Sequence, residues 1–218
     1  MVLAIYGASG LGREILELSK IINSDENNWD EFIFIDDGDV PEIVADCKVY
    51  KYESAKAEFG SKLEIVMGIG EPATRMKLFS IIRADGIKTP TLIHPTVHIP
   101  DSASIGEGIV IQEGCFVSVG TTIHDYVLLQ AKCAIGHDCI LEEGCIVSSF
   151  DSIAGAVKVG KCSYIGMSSS IKELVAIGDY SVIGMGSVVF KDVPDEVIAM
   201  GNPARVMKKN EDKRVFKH

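Results

Sequence analysis

No stretch of the chain is apolar for long enough to cross a membrane. Met1-Val2-Leu3-Ala4-Ile5-Tyr6-Gly7 carries neither a basic n-region nor a small-residue cleavage site. These absences argue against an anchored or secreted protein, and a cytoplasmic one is expected. Positive charge is also scarce: 21 Lys and Arg stand against 31 Asp and Glu, a formal net charge of −10. Nucleic acid and anionic membranes are therefore poor partners, because binding phosphate draws on clustered Lys and Arg. The one basic cluster, Lys208 to Lys217, is a short mixed-charge tail that is expected to be mobile. The six cysteines lack the spacing of a zinc site or a disulfide framework.

What the sequence does have is a period. Ile93, Ile99, Ile105, Ile111, Val117, Ile123, Leu129, Ile135, Leu141, Val147, Ile153, Val159, Ile165, Ile171, Ile177, Ile183 and Val189 follow one another at six-residue steps without a miss. Neither a helix nor an ordinary strand repeats every six residues, so this is a repeat architecture. Two positions before each aliphatic residue stands a small or β-branched one, such as Cys115, Thr121, Cys133, Cys139, Cys145, Ser163 or Ser187, with Ile109 and Asp151 as departures. The position after the aliphatic is often glycine, as at Gly106, Gly136, Gly160, Gly166, Gly178 and Gly184, and is expected to ease a corner. Each repeat is then one flat side of a prism. Three sides make an 18-residue coil, stacked about 4.8 Å from the next. Four cysteines fall in the small inward column, where a thiol acts as a compact hydrophobe. Cys115 and Cys133, 18 residues apart, should stack, so a disulfide between them is conceivable, although buried reduced thiols fit the column better.

Residues 1–90 follow a different pattern. Val2 to Tyr6 reads as a buried strand, followed by the turn Gly7-Ala8-Ser9-Gly10-Leu11-Gly12 and an amphipathic helix carrying Ile15, Leu16, Leu18 and Ile22. Phe32 to Ile35 is a second strand ending in Asp36-Asp37, and Leu63 to Met67 a third, ending in Gly68-Ile69-Gly70-Glu71 before another helix. Strand, glycine turn, helix, strand and acid make half of a Rossmann fold. Glycines there let backbone N–H groups approach a phosphate. The spacing G-x-x-G-x-G, with no second mononucleotide half, disfavours NAD and fits a single nucleotide or a nucleotide sugar. Asp36 and Asp37 are placed to accept hydrogen bonds from a base or sugar; the alternative is a solvated strand end.

Two histidines precede aspartate, His124-Asp125 and His137-Asp138. A carboxylate beside an imidazole orients it and raises its basicity, as a general base requires. The 18-residue register separates the two pairs. His137 and Asp138 stack on Val119-Gly120 and Gly155-Ala156, small residues that leave a depression, whereas His124 lies in an acidic strip with Glu107, Glu142 and Glu143. Function is expected at His137.

Gly136-His137-Asp138-Cys139-Ile140, together with Gly7-Ala8-Ser9-Gly10, Asp36-Asp37, Gly70 and the closing Gly201-Asn202-Pro203-Ala204-Arg205, makes the chain resemble the hexapeptide-repeat sugar O-/N-acyltransferases of the sialic acid O-acetyltransferase type. That family includes acetyltransferases of nucleotide-linked 4-amino-4,6-dideoxy sugars. The resemblance implies an α/β half-Rossmann domain over residues 1–90, a left-handed parallel β-helix over 91–195, and a C-terminal cap and tail over 196–218. It implies a homotrimer with acetyl-CoA in a groove between neighbouring β-helices, His137 as base and Asp138 beside it. Nucleotide-sugar contacts map onto Gly7, Ser9, Gly10, Leu11, Gly12, Asp36, Asp37 and Gly70, and acetyl-CoA contacts onto Ile146, Gly155, Gly166 and Met167. Two positions depart from the family: Ile146 stands where some members have His, and Gln130 where some have Asn.

The activity so implied is acetyl transfer to the amino group of a nucleotide-linked amino sugar, without a metal and without an acyl-enzyme. O-acetylation of a sialic acid or other sugar hydroxyl is the neighbouring alternative. Two readings belong to other classes: a carbonic-anhydrase-like zinc protein, which needs three converging histidines, and a nucleotide-sugar binder without catalysis. Loops Asp39 to Asp46 and Glu71 to Thr74 are expected to shape the acceptor pocket.

Overall fold

A computed structural model describes residues 1–216 of the chain, so Lys217 and His218 lie outside the described residues. Contacts divide it into two units, Met1–Gly70 with Lys77–Leu92, and Glu71–Met76 with Ile93 onward. The division therefore crosses the chain three times, because the six residues from Glu71 to Met76 pack with the repeat. Among the described residues no helix is long and apolar enough to cross a membrane.

The first unit is a five-stranded sheet in the order β3-β4-β2-β1-β5, made of β1 (Val2–Tyr6), β2 (Glu31–Ile35), β3 (Ile43–Val44), β4 (Cys47–Tyr50) and β5 (Leu63–Met67). β1 runs parallel to both β2 and β5, with Tyr6 level with Ile35 and Met67. All five residues of β1 are buried, as an apolar run between two parallel neighbours should be. Helix α1 (Gly10–Glu26) turns Ile15, Leu16, Leu18 and Ile22 inward and ends at Asn27 in the left-handed conformation, φ 52°. α2 (Tyr52–Phe59) follows β4. α3 (Pro72–Ala84) begins at a proline, the residue suited to a first helical position, so Pro72 to Thr74 form a helical turn and not the loop expected. Residues 39–46 likewise are not all loop, since Ile43–Val44 pairs antiparallel with Cys47–Lys48.

In the second unit every strand of the repeat is two residues long and pairs in parallel with strands 18 residues away, as Thr122–Ile123 does with Ile140–Leu141. Three walls result. The first holds Ser104–Ile105 through Ala176–Ile177, the second Val110–Ile111 through Val182–Ile183, and the third Phe116–Val117 through Val188–Val189. The aliphatic column from Ile111 to Val189 and the small column from Cys115 to Ser187 are both buried, and no channel is left between them. The inward hydroxyls bond to corner carbonyls, Ser169 to Gly166 and Gly184, Ser181 to Pro194.

The corner glycines have a different cause from the one expected. The left-handed backbone falls three residues after each aliphatic from Ile105 to Ile183, at Gly108, Gly114 and Gly120 but equally at Lys132, Asp138 and Leu174. Glycine directly after the aliphatic serves space instead. A Cβ at Gly106 would stand 2.4 Å from Asp125 Oδ1, and one at Gly136 2.7 Å from the backbone of the coil above. Tight stacking of coils, and not a special φ, excludes side chains there.

The tail is not free as far as it is described. Val197–Gly201 and Ala204–Lys209 form an antiparallel hairpin on the second wall, turned at a cis Asn202–Pro203 bond. Beyond it, buried Asn210 holds the carbonyl of Tyr180. Lys213 lies 4.4 Å over the Tyr180 ring and 2.7 Å from Glu196. Val215 and Phe216 donate their N–H groups to the Glu71 carboxylate, at 3.0 and 3.1 Å.

Candidate active site

His137 and Asp138 occupy a corner between the third and first walls. Asp138 takes the left-handed conformation at φ 57°, which aspartate tolerates better than most residues. The corner is fixed by Asp138 N–H donating to Val119 O at 3.0 Å and Ala156 N–H donating to His137 O at 2.7 Å. His137 Nδ1 stands 2.8 Å from Asp138 Oδ2, with the two side chains 63% and 68% exposed. A carboxylate at Nδ1 holds the ring proton there and leaves Nε2 as the acceptor. Nε2 lies over Gly155, where an added Cβ would stand only 2.4 Å away. Below, Gly120 has φ +70° and an added Cβ would stand 2.4 Å from Asp138 Oδ1. The small residues above and below the pair are thus its seat.

The other pair is built differently. Asp125 Oδ1 accepts the N–H of Glu107 at 2.9 Å and so serves the coil corner. His124 Nε2 is 3.7 Å from Glu142, whose carboxylate also pairs with Lys158 at 2.9 Å and is held below its ordinary pKa by that ammonium. Among the described residues no three His, Cys, Asp or Glu side chains converge as a metal site.

The acetyl-CoA positions expected from the resemblance do not lie together in one chain. Gly155 is beside His137, whereas Gly166 and half-exposed Met167 stand at the corner where the third wall begins. A wall separates them, on the order of 15 Å. Ile146 points out from the second wall but is only 1% exposed, and its apolar neighbours in that row, Val110 and Leu128, are fully buried. A further feature is announced by no motif. The third wall and its two corners expose Phe116, Val119, Phe150, Leu174, Met185 and Phe190. Several exposed large apolar side chains gathered on one wall and its corners usually mark an interface. The signal was present, since the period itself assigns Phe116 to an outward position.

In the first unit, Gly7, Gly12 and Gly68 pack on one another. A Cβ on Gly12 would stand 1.8 Å from Gly7 O, and one on Gly68 2.8 Å from Gly12 Cα. Around Gly10 there is open space, and Ser9 is exposed without capping α1. Leu11 is half-buried, and Gly70 closes the neighbouring loop after β5. Asp36 and Asp37 are neither bare nor simply solvated. Asp36 accepts N–H bonds from Ala8 and Gly38, at 3.0 and 2.9 Å. Asp37 accepts the Tyr52 N–H at 2.9 Å and the Tyr6 hydroxyl.

Residues 2–82 match the PglD N-terminal domain family. The acetyltransferase domain of PglB from Neisseria gonorrhoeae FA1090, in complex with acetyl coenzyme A, superposes with a TM-score of 0.88 at 27% identity, over 94% of this chain and 98% of that one. A variant of perosamine N-acetyltransferase from Caulobacter crescentus, in complex with CoA and GDP-perosamine, gives 0.87 at 25% identity, over 96% and 98%. A dTDP-3-amino-3,6-dideoxy-alpha-D-galactopyranose 3-N-acetyltransferase from Aneurinibacillus thermoaerophilus is 46% identical over 52 residues, 24% of this chain and 27% of that protein. The chain spans little more than a quarter of the length of the curated relatives it matches. The fold is the expected one, a half-Rossmann unit followed by a left-handed parallel β-helix, and the likeness to sugar acyltransferases holds along nearly the whole chain.

Proposed function

We propose that this chain is an acetyl-CoA-dependent N-acetyltransferase of nucleotide-linked amino sugars, acting in the cytoplasm as a homotrimer. The observation that carries the reading is the 2.8 Å contact between His137 Nδ1 and Asp138, with Nε2 seated over Gly155. In the reaction the sugar amine attacks the thioester carbonyl, and Nε2 of His137 takes the amine proton. The C–S bond then breaks and the departing thiolate receives that proton. The Gly155 N–H is assigned to the oxyanion. Asp138 keeps the ring oriented and stabilises the imidazolium while it lasts.

Transfer is direct in this scheme. Cys139, the thiol nearest in sequence, faces inward and donates to Ala154 O at 3.1 Å, and burial raises its pKa. Cys115, Cys133 and Cys145 are buried in the same column, so none is a nucleophile for an acyl-enzyme. Gly166 and Met167 bind acetyl-CoA from a neighbouring subunit, which accounts for their distance from Gly155. The first unit holds the nucleotide through Ser9, Gly10, Asp37 and Gly70. Support comes from the acetyl coenzyme A, CoA and GDP-perosamine complexes of the similar structures.

The test is thiol release from acetyl-CoA with UDP-, GDP- and dTDP-linked amino sugars. His137→Ala should lower turnover by about two to four orders of magnitude on the acceptor that works. Near-normal turnover would overturn the assignment of the base. Acetylation of hydroxyl acceptors alone would move the reading to an O-acetyltransferase.

A further inference from the structure

Two adjacent carboxylates at the end of β2 are held in different ways. Asp36 is tied only by backbone, through the N–H groups of Ala8 and Gly38. Asp37 is tied by one backbone N–H, from Tyr52, and by one side chain, the hydroxyl of Tyr6. Tyr6 is the last residue of β1 and is 5% exposed. Its ring stacks on that of Tyr52, centroids 5.8 Å apart and planes 17° from parallel. Tyr52 is anchored in turn, its hydroxyl donating to Asp85 at 2.7 Å. Asp37 itself is exposed, so the lone pairs not used by Tyr6 and Tyr52 face solvent.

We infer that Tyr6 is a positioning residue for nucleotide recognition, holding the Asp37 carboxylate in the orientation in which it accepts N–H or O–H donors of the nucleotide. This rests on the reading of the first unit as the nucleotide-sugar site. A buried, stacked phenol cannot turn away, and burial, then its hydrogen bond to Asp37, raise its pKa. It therefore remains a donor at any working pH. A carboxylate held at both oxygens meets its ligand without first losing rotational freedom. Held by the Tyr52 N–H alone, it would have to be ordered by each ligand that arrives. Neither Asp36 nor the glycine turn depends on Tyr6, so the effect should be confined to Asp37.

The experiment is calorimetric titration of the full chain with UDP, GDP and dTDP, and separately with acetyl-CoA. Tyr6→Phe retains the ring stack and removes only the hydroxyl. On the nucleotide that binds best, it should raise Kd about 5- to 10-fold, the loss of one hydrogen bond, while leaving the Kd of acetyl-CoA unchanged. Asp37→Ala should raise the same Kd at least as much, and the double variant no further, because Tyr6 acts through Asp37. An unchanged Kd for Tyr6→Phe beside a raised one for Asp37→Ala would overturn the inference alone. So would additive effects in the double variant, or a fall in melting temperature with no change in binding. If Asp37→Ala binds nucleotide normally, the inference falls while the nucleotide reading stands; if no nucleotide binds the unmodified chain, both fail.

Discussion

Asp151 is the one acid in an inward column of small or aliphatic residues, and it is 1% exposed. One oxygen accepts the Ser169 N–H at 2.7 Å; the other is buried without a protein partner. Burial lifts its pKa from 3.8 to about 8. The folded chain thus keeps a proton that the unfolded chain gives up from about pH 4 upward. Folding must take that proton back, so stability falls as pH rises from about 4 to about 8 and then levels. Asp151→Asn, which keeps an acceptor for Ser169, should raise stability at pH 8 by about 2–4 kcal/mol and flatten this slope. Urea midpoints at pH 5 and pH 8 check it, and an equal slope in both proteins would refute it. The sequence marked Asp151 as a departure and singled out His137 over His124, because both follow from register. It did not show that Asp36 and Asp37 bind the chain's own amides, since those partners arrive from loops up to 28 residues away. Nor did it show that Ile146 is buried, which depends on what covers the second wall.

The elements with strong patterns were readable, and those with weak ones were not. β1, β2 and β5 are apolar runs between turns, and their limits lie within a residue of expectation. The hairpin of β3 and β4 has too few apolar residues to show a period, and its residues are exposed or half-buried. The C-terminal segment shows no amphipathic pattern because what holds it is mostly not side-chain burial. The Glu71 carboxylate receives two backbone N–H groups, and Phe216 meets Tyr164 edge-on at 5.6 Å. Glu71→Gln replaces a charge-assisted acceptor by a neutral one of the same length, a loss of about 1 kcal/mol. Limited proteolysis should then cut within 211–216 about five times faster, with the coils still resistant. Equal cutting rates would show that the carboxylate does not hold the segment.

For the molecule as a whole, the exposed apolar face is the main fact the charge balance does not explain. A chain of net charge −10 should repel its own copies, yet Phe116 is 60% exposed and Leu174, whose N–H bonds to Gly155 O, is 76% exposed. Burial between subunits offsets that repulsion under the trimer proposed above. Phe116→Lys places a charge on this face and should yield monomers by light scattering, with acetyl transfer lost in parallel. A variant that stays trimeric would remove the third wall from the interface.

The 18-residue step also fixes how such a molecule can change in size. A deletion of one residue within the coils would turn every later side chain out of phase, putting the aliphatic column at corners and corner residues inside. Removing or adding one full turn leaves each column continuous. Height along the axis therefore comes in quanta of about 4.8 Å, and only whole quanta are compatible with folding. Any structure built along that axis inherits the same graduation, so the reach from His137 to the last coil is a length counted in turns.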